Sequence, residues 1–128
     1  MIDPAKRQEG WLSEHFREHE MACPCCGRYT DNRALLSSLE SLRSLCGNVP
    51  ITATSAYRCE RWNGVVGGSE QSQHLLGRAC DVIVQGLHPL EVAAKAELVP
   101  LFSHGGIGIY DTFVHVDVRV GGPARWNG

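Results

Sequence analysis

The sequence predicts an α+β domain with a small, mostly antiparallel sheet flanked by helices, and three observations carry that expectation. A leucine stripe at helical spacing occupies residues 31–46. Short apolar, β-branched runs recur at 51–57, 79–84, 105–110 and 113–120. A second helical pattern, rich in Ala and Glu, lies among those runs at 89–98. Together they fit strands and helices packed around one core.

Taken in order, Leu35, Leu39, Leu42 and Cys46 share one face of a 3.6-residue period, with Leu36 and Leu45 alongside. Asp31 is the expected N-cap of this helix and Gly47 its stop. Asn48-Val49-Pro50 then turns the chain into a strand over 51–57 that leads to Arg58. A short helix over 60–65 follows, ended by Gly67-Gly68. Residues 69–77 have the polar and glycine content of a loop, which delivers His74 just ahead of the apolar strand 79–84. Asp81 sits inside that strand, and a buried carboxylate needs a partner because desolvating it alone costs several kcal/mol. Pro89 suits the first turn of the next helix. The strands 105–110 and 113–120 are joined by a turn near Asp111-Thr112. In the latter strand Phe113, His115 and Asp117 alternate with Val114, Val116 and Val118, so the valines go to the core and the imidazole and carboxylate share the opposite face.

At 128 residues the chain has room for one domain, 1–128, with a cysteine-containing lead-in over about 1–30. No repeat or linker interrupts it. Hydrophobic content of 43%, charged content of 20% and a net charge of −2 fit a globular protein with no electrostatic case for nucleic acid or an anionic membrane. Neither nucleic acid binding nor membrane insertion is expected, and a monomer is the default. The start, Met1 to Arg7, lacks the apolar run of a signal peptide, so the expectation is synthesis in the cytoplasm.

The six cysteines do not have the spacing of a small disulfide scaffold. Cys23-Pro24-Cys25-Cys26-Gly27 reads first as a turn with partly buried thiols. A structural metal is the alternative, weakened because a closed zinc site draws on two separated ligand pairs and one tight cluster is visible.

Two imidazoles and a carboxylate, His74, Asp81 and His115, are the donor set a catalytic zinc takes when one position stays open for water. Taken singly, His74 fits a solvent-facing loop and His115 a half-solvated strand. An Asp entering a buried strand seven residues after His74 makes mere solvation an odd account of the set.

These residues carry a family resemblance. Ser72-Gln73-His74-Leu75-Leu76-Gly77-Arg78-Ala79-Cys80-Asp81 resembles the Ser-x-His-x-x-Gly-x-Ala-x-Asp motif of the zinc D-alanyl-D-alanine carboxypeptidase family, which shares a fold with hedgehog signalling domains and includes many bacteriophage endolysins. Phe113-Val114-His115-Val116-Asp117-Val118-Arg119 is similar to the second metal motif of its small peptidase-like branch. Ser55-Ala56-Tyr57-Arg58 and Val66-Gly67-Gly68 extend the likeness over roughly 51–119, and residues 16–27 resemble the same branch's lead-in.

The resemblance implies zinc held by His74, Asp81 and His115, with Arg58 holding a substrate carboxylate or carbonyl. A guanidinium fork suits that task on chemical grounds too. The expected activity is hydrolysis of peptides in bacterial peptidoglycan, as a carboxypeptidase or an endopeptidase, by water whose pKa the metal lowers to about 7. Release to the wall by a phage lysis system fits that role; a zinc-stabilised binding module without activity is the alternative.

The chain departs from better-known members where they place an acid or histidine shortly before the last ligand; Phe113 and Thr112 stand there instead. Asp117, on the ligand's strand face, is therefore the expected general base, with Asp111 in the turn as runner-up. His104 reads as an exposed loop residue before an oxyanion donor, and Ser72 as a turn cap.

Overall fold

The computed structural model describes residues 4–128; residues 1–3, part of the stretch read above for an export signal, lie outside them. Two short helices, α1 (Pro4–Gln8) and α2 (Glu18–Met21), precede the leucine-rich α3 (Arg33–Leu45). Then come β1 (Ile51–Ser55), α4 (Glu60–Val65), a 3-10 turn (Gln73–Leu76) and β2 (Ala79–Val84). The chain closes with α5 (Pro89–Ala96), α6 (Pro100–Ser103), β3 (Gly106–Ile109), β4 (Val114–Asp117) and β5 (Ala124–Asn127). No helix among the described residues is long and apolar enough to cross a membrane.

The predicted class holds: a five-stranded sheet in the order β1-β2-β4-β3-β5, antiparallel except where β5 runs parallel to β3. Strands β1 and β4 are shorter than in the sequence reading, ending at Ser55 and Asp117, and the short helices α1, α2 and α6 were not read from it. The N-cap of α3 is Asn32, whose side chain accepts from the Leu35 N–H at 3.1 Å, while Asp31 is drawn into ion pairs with Arg7 and Arg33. The strand β5 was not expected, since four residues after Gly121-Gly122-Pro123 offer only two turns of alternation.

One face of the sheet carries Ile51, Cys80, Val82, Val84, Ile107, Val114 and Val116, all buried. Against it pack Leu35, Leu36, Leu39 and Leu42 of α3, Val92, Ala93 and Ala96 of α5, and Phe102 of α6. The lead-in adds Leu12, Phe16 and Met21 to the same core. Apolar burial on this face fixes the strand registers, because a slip by one residue would turn each valine out to solvent. The opposite face is thereby left with Asp81, His115 and Asp117.

Replacing Leu39, 0% exposed, with alanine should lower the unfolding free energy by about 2–5 kcal/mol. Ile83→Ala, on the far face of β2 at 41% exposure, should change it by about 0.5 kcal/mol. Urea titrations of both variants check the assignment of faces; equal losses would contradict it.

Candidate metal centre

The site is a single row across the sheet. Ser55 pairs with Asp81, Asp81 with His115, His115 with Gly108, and Gly108 with Trp126, so five side-chain positions line up on one face. A register shift between Ala53 and Ser55 brings Ser55 into the row. Gly108 has no side chain, and a Cβ there would collide with the Trp126 indole. That opening lets the Trp126 ring approach His115, with ring centroids 4.9 Å apart. His74 arrives from the 3-10 turn, where Ser72 caps the backbone by accepting from the His74 N–H at 3.2 Å.

Hydrogen bonds behind the rings decide which nitrogens face inward. His74 Nδ1 lies 2.6 Å from the Ala56 carbonyl oxygen, which only accepts, so Nδ1 bears the proton and Nε2 presents its lone pair. His115 Nε2 donates to Asp117 Oδ2 at 2.6 Å, leaving Nδ1 to face inward. His74 Nε2 and His115 Nδ1 both stand 3.1 Å from Asp81 Oδ1. Ligands about 2.0–2.2 Å from a tetrahedral ion would be about 3.3 Å apart, so this N,N,O set matches zinc in chemistry and spacing. Three buried acceptors converging without a cation would repel one another.

Asp117 does not occupy the position expected of a general base. It is 0% exposed, behind His115, with its oxygens engaged by Gly106 N at 2.8 Å, Arg119 N at 3.1 Å, Arg119 Nε at 2.9 Å and Arg119 Nη2 at 2.7 Å. Gly106 is required for this approach, because a Cβ would collide with Asp117 Oδ2. Burial opposes the charge, but the donors from His115 and Arg119 outweigh it and hold the carboxyl well below the usual range. Such a carboxylate orients an imidazole and has little capacity left to shuttle a proton.

The same balance holds for Asp81, where burial is outweighed by His115 and His74 and the pKa falls to about 2. Burial alone would lower the pKa of His115, yet Asp117 and Asp81 together raise it.

His74, Asp81 and His115 line a cleft of about 630 Å³. Arg58 lines it, with Nη2 3.5 Å from Asp81 Oδ2, Nε donating to Ser55 Oγ at 3.1 Å and Nη1 to Asn63 Oδ1 at 3.2 Å. Gly68 makes room for that pair, since a Cβ would collide with Asn63 Oδ1. Asp111 is exposed and outside the cleft lining, as is His104, whose Nδ1 donates to the Pro100 carbonyl at 2.9 Å. Asp81 is the cleft's only carboxylate among the described residues. Sequence reasoning missed Tyr110 and Trp126, which form one wall and are joined by an Nε1–H to Oη hydrogen bond of 2.9 Å. It also missed Arg119 as Asp117's partner, although their i, i+2 spacing on a strand placed them on one face.

Comparison with known proteins adds a family. The model of a family described as Peptidase M15 matches residues 14–117, most of the chain and a stretch that includes His74, Asp81 and His115. No curated protein matches it.

Asp117→Asn should weaken zinc binding about 10–100-fold in chelator competition. Because protons compete for His115 Nδ1, zinc affinity in the native protein should rise with pH and be lost as pH falls through the raised His115 pKa; Asp81, at about 2, stays charged throughout. The variant should move that midpoint downward, since one carboxylate that raises the His115 pKa is gone. An unchanged affinity and midpoint with a lost rate would restore Asp117 as a base.

Proposed function

The chain belongs to the peptidase M15 family, and from that premise we propose that it is a zinc-dependent peptidase hydrolysing peptide bonds of bacterial peptidoglycan, as a D,D-carboxypeptidase or an endopeptidase of the endolysin kind. The observation that carries the reading is the convergence of His74 Nε2, His115 Nδ1 and Asp81 Oδ1, each nitrogen aimed by a partner behind its ring. When bound, zinc supplies a Lewis acid for the scissile carbonyl and brings the pKa of water to about 7.

The chain's own residues do the rest. His74, Asp81 and His115 hold the ion, and Asp117 keeps the His115 ring in register. Arg58, braced by Ser55 and Asn63, offers its guanidinium to a substrate carboxylate or carbonyl. Tyr110 accepts from Trp126, so its own hydroxyl proton is free to donate to the oxygen that gains charge as the carbonyl is attacked. Trp126 excludes water from one side. Delivery to the wall by a separate phage lysis system is consistent with this role.

One observation favours a second reading, a zinc-stabilised wall-binding module: among the described residues the cleft holds no carboxylate besides Asp81 to take the water's proton.

Incubation with purified peptidoglycan should release new amino groups, stop on chelation and resume on adding zinc. Arg58→Ala should lower kcat/KM about 10–100-fold, the worth of a hydrogen bond to a charged group, with partial recovery in Arg58→Lys. Sedimentation with the wall and no amine release would favour the binding module.

A further inference from the structure

We propose that Cys23, Cys26 and Cys59 form a second, structural site for a thiophilic divalent cation such as zinc, tying the N-terminal lead-in to the loop that carries Arg58. Their Sγ atoms all lie within 4.8 Å of one another, and Cys23 Sγ and Cys59 Sγ are 3.6 Å apart. Thiolates about 2.3 Å from a tetrahedral ion would be about 3.8 Å apart, so the cluster needs little adjustment to close on one.

The local fold explains the convergence. Cys23 and Cys26 flank a tight turn in which Gly27 N donates to the Cys23 carbonyl at 2.8 Å and Cys23 N to the Arg28 carbonyl at 2.8 Å. Gly27, at φ +74°, gives the turn its left-handed exit. Two thiols three residues apart on such a turn face the same way, the spacing that zinc sites use for one ligand pair. The separated ligand comes from Cys59, the residue before α4, 36 positions along the chain from Cys23.

Backbone N–H groups already serve the sulfurs as they would thiolates. Cys59 N donates to Cys23 Sγ at 3.5 Å and Trp62 N to Cys59 Sγ at 3.4 Å. Cys46 and Cys80, by contrast, are buried in the apolar core.

The site's consequence follows from what adjoins Cys59. Arg58 N donates to the His74 carbonyl at 3.2 Å, and the Ala56 carbonyl receives His74 Nδ1–H. A cation at the thiols would anchor this segment at Cys59, next in the chain to Arg58.

The full chain, purified under reducing conditions and reconstituted with cobalt(II), tests the proposal independently of any peptidase activity. We expect two ions per chain and an intense thiolate-to-cobalt charge-transfer band in the near ultraviolet. His74→Ala/His115→Ala should keep one ion and the band; Cys59→Ser should keep one ion and lose the band. Should Cys59→Ser fail to fold, alkylation of the native protein decides: Cys23, Cys26 and Cys59 should be shielded with metal and labelled after chelation. A native protein without the band, equal labelling with and without chelator, or an intact mass showing a Cys23–Cys59 disulfide would overturn the proposal. Loss of amine release with the band retained would sink the peptidase reading alone.

Discussion

Two hydrogen bonds on the outer edges of two imidazoles govern the site. A neutral histidine offers a lone pair from either nitrogen, and the choice rests on what the other nitrogen finds. The Ala56 carbonyl commits His74 to Nε2, and the Asp117 carboxylate commits His115 to Nδ1. Opposite tautomers are needed because one ring reaches the centre from a loop and the other from a strand directly beside Asp81. With either bond reversed, an N–H would point at the position a cation would fill.

Asp117 shows what such positioning demands. A carboxylate with no exposed surface is costly unless every lone pair is met, and here the donors come from Gly106, His115 and Arg119. Removing one partner would leave the others facing an unpaired charge, so the group behaves as a unit. The two sheet glycines have related purposes: Gly106 admits the carboxylate to a backbone N–H, and Gly108 admits an indole to the face of the site. Side chains missing from β3 thus shape the cleft as much as those present on β4.

Periodicity made most of this fold legible. The strand at 79–84 appears where its apolar run put it, the short helix at 60–65 lies just ahead of Gly67-Gly68, and the valines of β4 do enter the core. His74, Asp81 and the sequence-distant His115 do come together. Alternation assigns a residue to a face but says nothing of its neighbours there, which is why Asp117 could be read as a base. On the sheet, His115 intervenes between Asp81 and Asp117, and Arg119 claims the carboxylate's other edge. Trp126 escaped notice because β5 is short and joins by parallel pairing to a strand 18 positions back in register, a long-range contact without a local signature. The same holds for Cys59, whose relation to Cys23 exists only once the lead-in folds against β1.

The segment from Ala56 to Cys59 is where these relations meet. Its first carbonyl sets the tautomer of His74, its arginine approaches Asp81, and its cysteine lies against Cys23. It belongs to neither a helix nor a strand, so no backbone ladder holds it in place. What holds it instead are contacts at both ends: Tyr57 N to the Met21 carbonyl at 3.3 Å, Arg58 N to the His74 carbonyl, and the thiol cluster. A loop positioned by the lead-in on one side and by His74 and Asp81 on the other transmits order between them, because either anchor reduces the conformations left for the other to select. The lead-in therefore helps to position the site although none of its described residues lines the cleft.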